Sequence, residues 1–387
     1  MTTSLHTYPL INLLVRLGVG LGRLIGRCLP VRNRSGLFFF FPFYHTGGAE
    51  QVHVEIVNCF AQERPWVFFT KRSLDQHFWK QFTVAARCFD VGPFLKYGYP
   101  FSAGLLAGLI GSQHGARVFG CNALFYYLLL PHLPDHVRAT DLLHGLGGGS
   151  ERFALPVLDR LEQRVVISRG VRDELLACYR AEGVAADLDS RLTVIANRVD
   201  VPPVCPEKSP AGPLQLLFVG RGSQEKRVHL LGRAARHCSF FGLPVLFTLV
   251  GDVAAWLEAG DANRCRLTGP IDDRATLEQL YRQAHLVLIS SSREGFPLTV
   301  MEGMAQGCVP LCTTVGGIAE HVRHLENGWL LPADDEDAVV EGLVAAVATL
   351  AADRQQLARL SASAYAYAGQ HFSGARFCEQ YQRVIKG

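Results

Sequence analysis

Two doubly wound α/β domains facing each other across a cleft, preceded by an amphipathic helical extension, are predicted from three observations. Short apolar runs alternate with helical patterns in two successive series, and a proline-rich segment without periodicity separates them. Runs of this kind, apolar on both faces, are what a parallel sheet covered by helices requires. A chain of 387 residues is comfortable for two domains, each able to bury its own core.

Composition narrows the class. Apolar residues make up 49% and charged residues 19%, which is globular. The net charge of +3 is too small for a nucleic-acid binder. The eleven cysteines are odd in number and form no C-x-x-C pair. They read as buried thiols in a reducing, cytoplasmic compartment, not as a disulfide framework or a zinc site. His321 and His324 stand three apart without further ligands nearby, so no metal is expected.

The extension covers residues 1–35. Residues 8–29 are apolar except for Asn12, Arg16, Arg23 and Arg27. On a helix the three arginines fall within roughly 40° of one another, with Asn12 beside them. Three charges inside the run argue against a spanning helix. A helix lying in the membrane interface, with arginines at headgroup level, is one reading. A helix packed on the protein's own core or on a partner subunit is the other. Gly18, Gly20, Gly22 and Gly26 weaken its helicity in water.

The first domain is assigned to residues 36–200. Leu37 to Phe41 is a strand, followed by the loop His45 to Glu50 and a helix through Cys59. Further strands are expected at 65–70, 117–119, 139–143, 165–167 and 192–195, with a helix at 124–130. Ser168 suits a helix N-cap. Residues 201–213 form the linker, rich in proline. The second domain, 214–372, begins with the strand Leu214 to Val219 and continues with strands at 245–250, 265–267, 286–289 and 309–311. The tail is helical, and its last segment, 373–387, is expected to return to the first domain.

The most informative stretch is Ser292-Arg-Glu-Gly-Phe-Pro-Leu-Thr-Val-Met-Glu302. Glu294 and Glu302 flank a Gly295-Phe296-Pro297-Leu298 turn that opens a helix, where free backbone N–H groups make an anion site. Pro297 suits the first helical position. Eight helical residues span roughly 12 Å, whereas two-carboxyl retaining glycosidases hold their pair about 5–5.5 Å apart. The glutamates are therefore no close acid/base dyad. They read as gripping two ends of an elongated polar ligand such as a nucleotide sugar, or as an incidental acidic pair. Gly220-Arg221-Gly222, with Glu225-Lys226 after it, follows the first strand of the second domain. It pairs a close-approach turn with two cations for a diphosphate.

These two motifs, 73 residues apart from Arg221 to Glu294, resemble the donor-site signature of the family-four retaining glycosyltransferases, glycosyl transferases group 1. The resemblance covers roughly residues 36–387. It implies the GT-B fold of two Rossmann-like domains, with Glu294 on the transferred sugar and Glu302 on the ribose. It implies Arg221 and Lys226 on the leaving diphosphate, with Gly220 and Gly295 to Leu298 lining the donor. Gly47-Gly48 is similar to the family's glycine loop against the donor phosphates. His144 is similar to a histidine at the inner edge of the cleft, although a lone histidine after an apolar strand is often structural. Gly316-Gly317-Ile318-Ala319-Glu320 matches a family turn, and Glu320 reads as structural or near the acceptor. Asn197-Arg198-Val199-Asp200 resembles the segment that ends the first domain. There Arg198 replaces a glycine, and a left-handed backbone would strain it.

The activity so implied is hexosyl transfer from a nucleoside-diphosphate sugar to a glycan or lipid-linked acceptor, with retention and without metal or cofactor. The setting would be polysaccharide biosynthesis on the cytoplasmic side, with the enzyme soluble or peripheral on the inner face of the membrane. A nucleotide-sugar epimerase on the same scaffold is an alternative; a glycan phosphorylase would need a pyridoxal-phosphate lysine, and none is apparent. A catalytically idle nucleotide-sugar-binding scaffold is a further alternative, which the departure at Arg198 keeps open.

Overall fold

The computed structural model describes residues 9–29, 33–184 and 186–387. Residues 1–8 and 30–32 of the predicted extension, Tyr8 included, lie outside the described residues, as does the side chain of Asn12. The chain divides into two compact units. The first holds residues up to Ile167, 172–195 and Cys378–Gly387; the second holds Ser168–Val171 and Ala196–Phe377.

The first unit runs α1 (Pro9–Cys28), β1 (Leu37–Phe41), α2 (Gly48–Asn58), β2 (Trp66–Phe69), α3 (Trp79–Ala85), β3 (Arg87–Asp90) and α4 (Gly92–Gly111). It continues with β4 (Arg117–Cys121), α5 (Leu124–Leu129), β5 (Arg138–Leu143), α6 (Ser150–Phe153), β6 (Gln163–Val166), α7 (Arg169–Ala181) and β7 (Leu192–Val194). The strands form a parallel sheet in the order β3-β2-β1-β4-β5-β6-β7. Phenylalanines fill one side of it. Phe40 stacks on Phe68 and Phe68 on Phe89, each at 5.1 Å between ring centroids. Inside the sheet, Arg164 makes a bidentate pair with Asp141, at 2.9 and 2.7 Å, and the Tyr127 hydroxyl donates to the same carboxylate at 2.8 Å. A buried guanidinium with fixed partners of this kind ties β6 to β5 and stays charged.

The second unit runs β8 (Leu214–Val219), α8 (Val228–Phe240), β9 (Val245–Val250), α9 (Ala259–Ala262), β10 (Cys265–Gly269), α10 (Arg274–Gln283) and β11 (Leu286–Ile289). It then runs α11 (Leu298–Ala305), β12 (Val309–Thr313), α12 (Ile318–His321), β13 (Trp329–Leu331), α13 (Glu336–Ala352) and α14 (Arg354–His371). Its parallel sheet has the order β10-β9-β8-β11-β12-β13. The central strands were legible as apolar runs. The edge strands β3, which begins and ends on the charged Arg87 and Asp90, and β13, with three residues, were not, although the edges β7 and β10 were. In the second unit's core, Phe296 packs on His321 at 4.3 Å and on Phe372 at 5.5 Å. His321 Nδ1 lies 3.0 Å from the Tyr367 hydroxyl. Burial, with His371 and Arg169 nearby, lowers the His321 pKa to about 4.

The last helix, α15 (Gly374–Lys386), carries most of its length into the first unit. There the cysteine reading needs correction: Cys59 and Cys378 form a disulfide across a sequence separation of 319. Spacing could not show it, since only the return of α15 brings the two thiols together. Gln382 donates to Cys59 O at 2.8 Å and Lys386 to Glu63 at 2.6 Å along the same seam.

The extension is helical, as α1, and packs lengthwise on α4 through glycines from both helices. A Cβ on Gly22 would lie 2.2 Å from Phe101 O, and one on Gly26 would lie 2.1 Å from Leu105 O. In the other direction, a Cβ on Gly104 would lie 2.1 Å from Val19 O and one on Gly108 2.2 Å from Arg23 O. The glycines that weaken α1 alone are thus what lets the two backbones touch. Pro100 and the non-helical Gly98 bend α4 near its start. Leu13, Leu14, Leu17, Leu21, Leu24 and Ile25 of α1 remain exposed.

Two outcomes are expected. Gly104→Ala should cost about 1–3 kcal/mol through overpacking, while Gly20→Ala, with open space around it, should gain up to about 1 kcal/mol. Hydrogen exchange of the α1 amides reads both, and equal protection in the two variants would refute the seam. The second outcome concerns pH. With its pKa lowered in the folded state, His321 contributes stability above pH 6.5 that is lost as pH falls toward about 4. At about 1.4 kcal/mol per pH unit this amounts to at most roughly 3 kcal/mol. Urea unfolding of His321→Gln should show a shallower acid-side decline; an unchanged slope would contradict it.

Candidate functional site

In the second unit the strand order reverses between β8 and β11. The loops leaving such a pair part at the C-terminal edge of the sheet and open a crevice. The loop after β8 starts with Gly220 and Gly222, whose N–H groups donate to Val250 O and Asp252 O, both at 3.0 Å. A Cβ on Gly222 would lie 2.1 Å from the Trp256 ring, and one on Gly251 (φ +124°) 1.9 Å from Gly220 O. Glycine is required because two backbones touch there.

The loop ends on Arg227, which the sequence reading missed. Its backbone is left-handed (φ +45°) and its guanidinium is buried. It donates to Ser290 O at 2.8 Å, Ala333 O at 2.9 Å and Ser291 O at 3.0 Å. The Ser290 hydroxyl donates back to Lys226 O at 2.8 Å, and Ser292 N donates to Glu225 O at 2.8 Å. These bonds clamp the loop after β8 to the loop after β11. Lys226 Nζ consequently lies 2.6 Å from Glu294 Oε1, which also accepts from Ser291 Oγ at 2.5 Å. Arg221 is exposed and has no partner among the described residues.

The turn after β12 supports the second loop from below. A Cβ on Gly316 (φ +53°) would fall 1.7 Å from Glu294 O, and Gly317 N donates to Gly295 O at 2.6 Å. Pro297 is the N-cap, with extended backbone (ψ 131°), so α11 begins one residue later than expected, at Leu298. No side chain caps α11, which leaves N–H groups of its first turn for a ligand. One turn on, Glu302 accepts from Arg274 at 2.7 Å and from the Tyr281 hydroxyl at 2.9 Å. It borders a pocket of 190 Å³ whose walls include Val201, Leu277, Tyr281 and Gln306. Each carboxylate oxygen retains room for another donor.

Arg198 carries no left-handed backbone. It pairs with Asp200, and the strain expected at this departure is absent. Glu320 accepts from Arg169 N at 2.8 Å and Gly170 N at 2.7 Å, which makes its role structural.

His144, Gly47 and Gly48 lie in the first unit. Gly47 precedes α2 with extended backbone, and a Cβ there would lie 2.1 Å from Glu50 Oε2. His144 follows β5, half-buried, with Nε2 3.3 Å from Nε2 of the fully buried His53. Burial lowers the His144 pKa to about 4 and takes that of His53 well below the ordinary value. Cys121 completes the group, the ligating atoms of all three lying within 4.8 Å of one another. It is the one metal-type trio among the described residues.

Arg227, Arg274, Tyr281 and His53 had no signal in the sequence beyond their residue type. Arg227 stands in a basic run, and spacing does not tell a buried arginine from an exposed one.

Residues 213–350 match the family model described as Glycosyl transferases group 1. The putative glycosyltransferase EpsD of Bacillus subtilis is 27% identical over 220 residues, 53% of this chain and 47% of that protein. The putative colanic acid biosynthesis glycosyltransferase WcaL of Escherichia coli is 27% identical over 256 residues, 62% of this chain and 56% of that protein. The chain thus spans about half the length of these curated relatives. Among solved structures, Anabaena HepE in complex with UDP superposes with a TM-score of 0.70 at 18% identity, covering 90% of this chain and 99% of that one. HepE has also been crystallised with UDP-glucose. The lipopolysaccharide outer core galactosyltransferase WaaB superposes with a TM-score of 0.69 at 16% identity, over 90% and 98% of the two chains. With two parallel-sheet units and neighbours of this architecture, the chain has the GT-B fold, and its residues 213–350 are similar to glycosyl transferases group 1.

Proposed function

We propose that the chain is a retaining, metal-independent glycosyltransferase that moves a hexose from a nucleoside-diphosphate sugar to a glycan or lipid-linked acceptor. One observation carries this reading most: Arg227 clamps the two motif loops so that Lys226 and Glu294 meet beside the uncapped start of α11. Cations and helix N–H groups directed at one point suit a diphosphate. HepE, with UDP-glucose, favours a uridine nucleotide.

In the reaction proposed, the bond between the anomeric carbon and the phosphate oxygen breaks, and the diphosphate departs with the electron pair. The acceptor hydroxyl oxygen bonds to the anomeric carbon on the same face, and its proton passes to the departing phosphate oxygen. Arg221 and Lys226 neutralise the diphosphate, aided by the backbone from Gly295 to Leu298. Glu294, held by Lys226 and Ser291, is assigned to the sugar hydroxyls. Glu302, with Tyr281 beside it, is assigned to the ribose. His144 and the Gly47-Gly48 turn are assigned to the sugar–phosphate side of the donor, and Gly220 to its diphosphate.

The exposed leucines of α1 point to a membrane surface as its neighbour. Around the helix, at 100° per residue, the glycine seam, the arginines and the exposed leucines occupy three successive stripes. Arg16 and Arg27 are exposed beside the apolar stripe, the order an anionic headgroup layer accommodates. No helix among the described residues is long and apolar enough to cross a membrane. The location proposed is the cytoplasmic face, on the side where nucleotide sugars are expected as donors; nine cysteines of the described residues are free, and Cys59–Cys378 alone among them is bonded.

Incubation with UDP-, GDP-, ADP- and TDP-sugars should release one nucleotide and label an acceptor with the sugar. Interconversion of the sugar without nucleotide release would identify an epimerase instead. Arg221→Ala and Lys226→Ala should each lower kcat about 10²–10³-fold. Glu302→Ala should weaken free-nucleotide binding, while Glu294→Ala should impair transfer and leave that affinity nearly unchanged; equal loss in both would refute the division. For the membrane surface, Leu17→Glu with Leu24→Glu should abolish sedimentation with phosphatidylglycerol vesicles, and continued co-sedimentation would exclude α1 as the contact.

A further inference from the structure

His53 has no part in the reaction above, yet its surroundings are specific. Its ring lies flat on Phe41, with centroids 4.3 Å apart and an interplanar angle of 11°. Its Nε2 meets Nε2 of His144 at 3.3 Å, and its Nδ1 is buried without a hydrogen-bond partner. Two neutral imidazoles that meet through these nitrogens share one proton: two N–H groups would collide, and two lone pairs would repel.

The orphan Nδ1 decides which ring gives the proton. A proton on His53 Nδ1 would bury an N–H donor with no acceptor, and orphaned buried N–H groups are rarer than unsatisfied acceptors. The proton of His53 therefore sits on Nε2 and is donated to His144, whose own proton is left on Nδ1. Burial keeps both rings neutral at physiological pH, so a second proton does not blur this assignment. Cys121, the third member of the group, is fully buried, and its thiol is held protonated by the same burial.

We infer that His53 is a positioning residue that locks His144 in the Nδ1–H tautomer, so that the nitrogen not facing His53 offers a hydrogen-bond donor. The ligand for that donor is an acceptor oxygen, a sugar hydroxyl or a phosphate oxygen; this last step rests on the transferase reading, whereas the tautomer does not. An Nε2–H tautomer would present a bare lone pair at the same place and repel those oxygens.

Nitrogen-15 NMR of histidine-labelled full-length protein tests this directly, since protonated and bare imidazole nitrogens resonate apart. The expected wild-type spectrum has His144 protonated at Nδ1 and His53 at Nε2. The wild-type spectrum suffices even where a variant fails to fold. His53→Phe fills the space without a donor and should move His144 toward Nε2–H, with transfer falling roughly 10-fold, the scale of one hydrogen bond. His53→Gln supplies an amide donor and should restore the tautomer and most of the activity. His144 protonated at Nε2 in the wild type overturns the inference, as does an unchanged tautomer in a folded His53→Phe. Stoichiometric zinc retained through dialysis, with both Nε2 atoms bare, also overturns it, since a metal ion would then hold the pair. A tautomer that shifts as expected while transfer stays constant in both variants upholds the lock and removes His144 from the transferase reading.

Discussion

Arg227 is the constraint on which the second unit's site depends. Its guanidinium replaces water with three backbone carbonyls, two from the end of β11 and one from Ala333. A buried cation is costly unless it is fully hydrogen-bonded, so these carbonyls have little freedom to move. The left-handed backbone at Arg227 turns the chain from the preceding loop into α8 and aims the side chain inward. Lys226, one residue earlier, is thereby directed toward Glu294. An exposed lysine would sample many rotamers; this one is held by a buried neighbour and a carboxylate 2.6 Å away.

Glycine serves a related purpose where loops approach each other closely. Gly220, Gly222 and Gly251 let two strand ends touch, and Gly316 and Gly317 support the peptide of Glu294 and Gly295. In the first unit, glycines in α1 and α4 bring two helices into backbone contact, which turns a poor helix former into an ordered element with an apolar outer face. In all three places a missing side chain gives contact that no side chain could provide, and it costs conformational entropy that the packing must offset.

The two units hold their polar groups by different means. In the first, a bidentate Arg164–Asp141 pair is fully buried, and the buried His53 meets the half-buried His144 through their Nε2 atoms. In the second, Glu294 and Glu302 each meet a cation and a hydroxyl. The contacts of Glu302 pass through the exposed Arg274 and through Tyr281, so this carboxylate is held partly by a flexible neighbour and partly by a buried one.

The sequence by itself determined the two α/β series, the central strands and the loops that carry the motifs. Apolar runs such as Leu37–Phe41 and Leu286–Ile289 have to be buried on both faces, and the loop motifs are local in the chain. Of the edge strands, β7 and β10 were legible, whereas β3, with its Arg87 and Asp90, and the three-residue β13 were not. Only the tertiary structure decided which polar residues serve those loops. Arg227 and Tyr281 look like surface residues in a string of letters, and His53 looks like one more residue of an amphipathic helix. The Cys59–Cys378 bond and the touching of α1 and α4 also join residues remote in the chain. Partners of that kind are set by distances in space, and periodicity within a segment contains no information about distances between segments.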